Sequence, residues 1–100
     1  MRELSEQIES IIREIEEVSD YLYQQKMTKG YELLNSTLGN IMNIADELFA
    51  MTKENLINFD MQRLFGVLSS AMQAMEIKDS VLLADILVYE VSGQLQGMMD

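Results

Sequence analysis

Several residue types that carry much of protein chemistry are missing from this 100-residue chain. It has no cysteine and no histidine, which excludes disulfides, thiolate nucleophiles and imidazole ligands for a metal. It also has no proline, so nothing in the sequence forces a helix to break. Enzyme classes that depend on a cysteine or a histidine are therefore excluded.

Basic residues are scarce as well. Seven Lys and Arg residues stand against 17 Asp and Glu residues, which gives a formal net charge of -10. The bases are scattered along the chain at Arg2, Arg13, Lys26, Lys29, Lys53, Arg63 and Lys78. A phosphate backbone or an anionic membrane surface requires clustered positive charge, so we expect neither nucleic acid nor a membrane as a partner.

Long apolar runs are also lacking. No segment approaches the roughly 18 apolar residues of a membrane-spanning helix, and residues 1–6 show no apolar signal core. We therefore expect a cytoplasmic protein. The hydrophobic fraction of 48% is that of a globular protein, and the length suits one domain over residues 1–100.

What the sequence does contain is helical periodicity, most clearly in its first half. The pattern predicts a helix over residues 3–24, because apolar residues alternate spacings of four and three. These residues are Leu4, Ile8, Ile11, Ile15, Val18 and Leu22. A second helix is predicted over residues 29–51, with Thr28 as its N-cap. Its apolar seam consists of Tyr31, Leu34, Leu38, Ile41, Ala45 and Leu48.

The second half predicts two more helices. The third is capped by Asn58 or Asp60 and ends near Glu76. Its predicted core seam consists of Met61, Phe65, Leu68, Met72 and Met75, extended by Leu64, Val67, Ala71 and Ala74. The fourth is capped by Asp79 and covers residues 80–96. Residues 81–91 are so apolar that a buried strand is an alternative, but length and Leu and Ala content favour a helix.

Short connections make successive helices antiparallel neighbours. We therefore predict an all-α fold, a four-helix bundle of two antiparallel hairpins. The hairpins cover residues 3–51 and 59–97, and a central loop covers residues 52–58. Gly39 and Gly66 lie inside helices, which either a close contact within the bundle or a dimer contact would explain.

The sequence contains few groups that could carry out catalysis. No glycine-rich phosphate loop and no activated serine is present. Pairs of carboxylates at helical spacing lack a loop that would supply converging oxygens to a metal. Asp85 interrupts the apolar fourth helix and is either a buried acid with a raised pKa or part of a narrow polar line near Lys78 or Tyr89. We therefore expect no enzyme, no cofactor and no metal site.

The third and fourth helices are more apolar than a single bundle requires. We interpret the surplus as a surface that binds a protein partner or a second copy, which predicts a homodimer formed mainly by the C-terminal hairpin. Met61, Met72 and Met75 are assigned to the core. The predicted partner-binding residues are Leu83, Leu87, Val91, Leu95, Met98 and Met99.

Two segments resemble known proteins. Residues 21–35, YLYQQKMTKGYELLN, resemble the turn of a helical-repeat or flagellar-secretion-chaperone hairpin. Residues 74–90, AMEIKDSVLLADILVYE, look like the C-terminal part of small acidic proteins of Gram-positive bacteria. The chaperone resemblance implies a bundle that holds an export substrate along a hydrophobic groove. The functional prediction is thus a non-catalytic protein-interaction module, with an export chaperone or a self-assembling structural protein as alternatives.

Overall fold

Four helices account for most of the chain. The computed structural model describes the backbone of residues 2–99 and the side chains of residues 3–98. Helix α1 is Arg2–Tyr23, α2 is Met27–Lys53 and α3 is Met61–Glu76. Helix α4 runs continuously through three segments, which are α-helical Ser80–Asp85, π-helical Ile86–Val91 and α-helical Ser92–Met99. The all-α prediction is confirmed, and the described residues contain no strand.

The apolar seam of α1 forms the centre of the core. Each of its six predicted residues is buried, from Leu4 at 8% exposed to Leu22 at 0%, and Ile12 joins them. Because the acids of α1 occupy the remaining positions, this helix divides cleanly into one core face and one charged face.

All three turns use the same device to end a helix. Gln25, Asn55 and Lys78 adopt left-handed backbone conformations, with φ of 62°, 61° and 57°. At the first turn, the Lys26 N–H donates to the Tyr21 carbonyl and the Gln25 N–H donates to the Leu22 carbonyl. This is the Schellman arrangement, which glycine usually occupies. None of these three turns has a glycine at the left-handed position, so the sequence does not predict the Schellman arrangement.

The helix starts are capped unequally. The Asp60 carboxylate accepts from the Arg63 N–H at 3.0 Å, and the Asp79 carboxylate accepts from the Leu82 N–H at 3.0 Å. Helix α2 instead begins at Met27, and its N-cap Lys26 makes no side-chain cap. The predicted cap at Thr28 is therefore wrong, and the central loop covers residues 54–60 rather than 52–58.

The helices form a square that is open on one side. Helix α1 packs on α2 and on α4, and α3 packs on α4, whereas α2 and α3 touch at few positions. Diagonal corners are therefore α1 with α3 and α2 with α4. The long dimension of 41 Å matches the roughly 40 Å length of the 27-residue helix α2.

The π-helical segment explains how α4 buries one continuous row. Leu83, Leu87, Val91 and Leu95 follow one another at intervals of four, a spacing that drifts about 40° per step around a regular α-helix. Three such steps would turn the last residue about 120° away from the first. The wider turn of the π-helix removes most of this drift, so that all four side chains are 0% exposed.

None of the helices between residues 2 and 99 combines the length and the apolar character needed to cross a membrane.

Candidate protein-binding surface

The residues predicted to bind a partner lie in the core. Leu83, Leu87, Val91 and Leu95 are completely buried against the other helices. In this fold these four side chains are core residues, and the surface available to a partner lies elsewhere. Met98 is half-buried and packs against the core. The side chain of Met99 lies outside the described residues.

Large apolar side chains are exposed elsewhere. The most exposed are Tyr23, Met42, Phe49, Leu56, Phe65, Met72, Ile77, Val81, Leu82 and Tyr89, at 42–73%. Single exposed apolar residues are normal on a protein surface. Their grouping is therefore more informative than their number, and four of them fall on the open side between α2 and α3.

Two of the four lie on the flank of α2 that is turned away from α1. The Thr37 hydroxyl and the Asn40 side-chain amide donate to the Glu14 carboxylate at 3.0 and 3.1 Å, which fixes the flank that faces α1. Met42 and Phe49 lie roughly 180–200° around the helix from Asn40. They are 48% and 50% exposed. This flank of α2 therefore faces α3 without being covered by it.

The other two lie on the matching flank of α3. Ser70 and Ala74 share a groove with Leu82 and Ile86, which marks the flank that faces α4. Phe65 and Met72 lie roughly 200–220° around the helix from Ser70, measured in the same direction, and they are 44% and 61% exposed. Both had been predicted to be core residues.

The core of α3 is made instead by smaller residues. Leu64, Ala71 and Ala74, predicted as an extension of the seam, are 0–1% exposed, and Met61 and Leu68 are also buried. Small alanines allow α4 to approach closely, and this rotates the larger Phe65 and Met72 toward the open side. Met75 remains partly buried against the core. The core assignment is thus confirmed for Met61 and wrong for Met72.

The four exposed residues follow one side of the bundle because the two helices are antiparallel, with Met72 near one end and Phe49 about 6 Å beyond the start of α3 at the other. Tyr31 and Met75 line the same small cavity at one end of the helices. Met42 is 11 residues from Tyr31, and Phe65 is 10 residues from Met75, so both lie roughly 15–16 Å along their helices. Met42 and Phe65 therefore fall at nearly the same level. We call Met42, Phe49, Phe65 and Met72 the α2–α3 strip.

The charge of the chain is concentrated away from this strip. Helix α1 has seven acidic and two basic residues. Helix α2 has three acidic and two basic residues, and α3 has one of each. The strip itself has no charge. Beside it, the Lys53 ammonium lies 6.0 Å from the centre of the Phe49 ring. The side made by α2 and α3 is thus close to neutral, and the side that includes α1 is acidic.

The Tyr23–Asp85 pair and Glu14 make hydrogen bonds within the bundle. The Tyr23 hydroxyl donates to the Asp85 carboxylate, which lies half-buried. This hydrogen bond, partial burial and the charges of Asp85 and Tyr89 raise the pKa of Tyr23 to about 12. Asp85 therefore lies on the polar line near Tyr89, as one of the two readings predicted, although its hydrogen-bond partner Tyr23 was not foreseen.

The other notable polar group is Glu14. It lies in a shallow groove of about 620 Å³ between α1 and α2, which Gln7, Ser10, Asn43 and Asp46 also line. The hydrogen bonds from Thr37 and Asn40 join the two helices there. No group of three or more acidic side chains among the described residues is arranged to hold a metal ion.

Comparison with known proteins places the chain in a family. A family model described as Domain of unknown function (DUF8042) matches residues 1–100, and the chain belongs to this family. No curated protein and no solved structure matches the chain.

Proposed function

We propose that this protein is a non-catalytic, cytoplasmic interaction module that holds another protein chain on its α2–α3 strip. The observation that supports this function is an uncharged apolar surface on the one side of the bundle that its own helices leave open. Interfaces have a core depleted in charge and enriched in Phe and Met, which is the composition of the strip.

The size of the strip also supports binding. A large side chain presents roughly 200 Å² when fully exposed, so four at about half exposure present on the order of 400 Å². This is within the range of the largest apolar patches on monomers, which are often functional. The strip therefore has the size expected of a binding surface.

Its form suits a helical partner. Two antiparallel helices that make few contacts with each other present two neighbouring rows of apolar side chains. Helices commonly bind in grooves lined by such rows, through apolar residues spaced by three or four. The resemblance to flagellar secretion chaperones also implies such a groove. An export substrate is therefore one class of partner, and a second copy of the chain is another.

The test is photo-crosslinking in cells of the native host. A photo-crosslinking amino acid is placed at position 72, and the matched control carries it at Val81 on α4, which is 48% exposed. We expect protein adducts from position 72 and few from position 81. The same adducts should disappear when Phe65→Glu is added to the position-72 protein.

An equal yield of adducts from both positions, or none from position 72, would rule out this function. An adduct with a secreted protein would favour the chaperone alternative. An adduct of twice the chain mass would identify the bound protein as a second copy.

A further inference from the structure

We infer that the chain which covers the α2–α3 strip is a second copy of this protein, bound through the same strip in a symmetric dimer. This inference rests on the proposed function, since it names the partner of that surface. It moves the dimer interface away from the apolar row of α4, which is buried, to the side shared by α2 and α3, so that only α3 of the predicted C-terminal hairpin takes part.

Charge distribution is the first argument. Two copies that each have a net charge of -10 repel one another unless their acids are kept apart. Helix α1, the most acidic element, occupies the corner diagonal to α3 and belongs to the side opposite the strip. A dimer formed strip to strip directs both α1 helices outward.

The resulting separation is large enough to matter. The bundle is 23 × 20 Å in cross-section, so two α1 helices on the outer sides of a dimer are separated by more than one bundle thickness. The Debye length at physiological ionic strength is about 8 Å, and repulsion over that separation is largely screened. The high negative charge therefore does not oppose this particular dimer.

The available area is the second argument. A stable dimer buries about 800 Å² on each partner, and about 65% of a homodimer interface is apolar, so roughly 500 Å² of apolar surface is needed. The strip presents on the order of 400 Å². Tyr31, Leu38 and Met75 lie beside it and are only partly buried, and they supply the remainder.

Self-complementarity is the third argument. In a two-fold dimer the same patch meets itself, and the four side chains of the strip bring no charge of their own to that contact, with Lys53 at its edge. Two α2–α3 pairs stacked face to face make a second four-helix arrangement across the dimer axis. The exposed Gly39 lies one turn before Met42, and an added Cβ there would meet no atom of the same chain within 4 Å. An added Cβ at Gly66, Gly93 or Gly97 would likewise meet no atom, so Gly39 leaves room for a second copy beside the strip without being distinctive in doing so.

The experiment is sedimentation equilibrium of the purified full chain across the micromolar range. We expect a species of twice the 11.5 kDa chain mass. Phe65→Glu and, separately, Met72→Glu should weaken dimerisation roughly a hundredfold or more, because each copy then buries an unpaired carboxylate. Val81→Glu adds the same charge on α4 and should leave the dimer intact. Circular dichroism identifies which of the variants remain folded.

A wild-type chain that is monomeric throughout would overturn the inference, as would a dimer that both folded strip variants retain. The proposed function can be wrong or right independently of the dimer. If the chain is a monomer but position 72 still crosslinks a different protein in cells, the strip binds that protein and only the self-association is wrong. If it is a monomer and position 72 forms no adduct, both proposals fail.

Discussion

At the scale of single residues, burial decides what each apolar side chain in α4 does. Leu87 is 0% exposed, whereas Val81, two turns earlier, is 48% exposed. Both are apolar, and the only charged residue between them is Asp85, which lies about one turn after Val81 on the polar line of the helix. The positions of α1 and α3 make Leu87 a core residue, whereas Val81 lies on the side that carries Asp85 and stays at the surface.

Leu87→Ala should lower the free energy of unfolding by about 2–5 kcal/mol, because it removes buried methyl groups and leaves a cavity. Val81→Ala should lower it by less than about 1 kcal/mol. Urea denaturation of both variants measures the difference. Equal losses would contradict the assignment of Leu87 to the core.

Ser19 is a buried polar residue whose hydroxyl lacks a hydrogen-bond partner among the described residues. It is 1% exposed. Leaving a buried polar group unpaired costs about 1–3 kcal/mol. Ser19→Ala should therefore raise the free energy of unfolding by about 1 kcal/mol, measured by urea denaturation. The control is Ser36→Ala at an exposed helical position, which should gain no more than the small difference in helix propensity.

The Tyr23–Asp85 hydrogen bond predicts a pH dependence in the alkaline range. The pKa of Tyr23 is raised to about 12 from an ordinary value of about 10. Between these values the folded chain keeps a proton that the unfolded chain has lost, so this contribution to stability is present below pH 10 and is lost as the pH rises through about 12. Urea denaturation at several pH values should show this decline in the wild type.

Tyr23→Phe cannot lose this proton, so it should show a smaller decline than the wild type over the same range. Tyr89→Phe, which keeps the hydrogen bond, should decline nearly as the wild type does. Parallel profiles for the wild type and Tyr23→Phe would show that the hydrogen bond to Asp85 does not hold the proton.

At the scale of the helices, the start of α2 differs from those of α3 and α4. Asp60 and Asp79 each accept from the N–H three residues later, whereas Lys26 occupies the same position with a similar backbone conformation and offers no acceptor. The N-terminal N–H groups of α2 therefore lack the side-chain partner that the later helices have.

Lys26→Asp should supply this cap and raise the free energy of unfolding by about 1 kcal/mol, while Lys26→Ala should not. Asp79→Ala should lower it by a similar amount at the start of α4. Thermal or urea unfolding of the three variants tests the comparison. A Lys26→Asp variant no more stable than Lys26→Ala would mean that the N–H groups at this helix start are already satisfied by water.

The helix patterns were more informative in α1 than in α3. Helix α1 has one apolar seam bounded by charges, so its buried face could be predicted without the structure. Helix α3 has apolar residues over a much wider arc, and the rows through Phe65 and Met72 and through Leu64 and Ala71 fit the same periodicity. Because Phe65 and Met72 are large, the sequence predicted that they lie in the core. In the structure the smaller Ala71 and Ala74 are buried instead, because α3 packs closely against α4.

At the scale of the whole molecule, the dominant feature is the separation of charge from apolar surface. The acids of α1 include neighbours one turn apart, such as Glu16 and Asp20, which repel each other on the exposed face. Salt largely screens repulsion between exposed charges farther apart than the Debye length, about 10 Å at 0.1 M, and weakens in part the repulsion between closer pairs such as this one.

The free energy of unfolding should therefore rise when sodium chloride is increased from low concentration to about physiological strength. Glu16→Lys places a base four residues before Asp20 and should stabilise the chain by about 0.5 kcal/mol at low salt. It should also reduce the salt dependence. Urea denaturation at several salt concentrations measures both effects, and a stability that falls with salt would show that attractive ion pairs outweigh the repulsion.

The sequence by itself determined the helical class, the number of helices, the buried face of α1, the cap Asp79 and the net charge, and it narrowed the cap of α3 to Asn58 or Asp60. These properties depend on local periodicity and on residue chemistry, which need no knowledge of neighbours. The tertiary structure decided which apolar rows of α3 and α4 are covered. A row of apolar residues indicates only that these side chains avoid water. Whether other helices of the same chain bury the row depends on the π-helical turn of α4 and on its close contact with α3. Those two features bury the row from Leu83 to Leu95 and turn Phe65 and Met72 outward, and the sparse contact between α2 and α3 leaves Met42 and Phe49 uncovered.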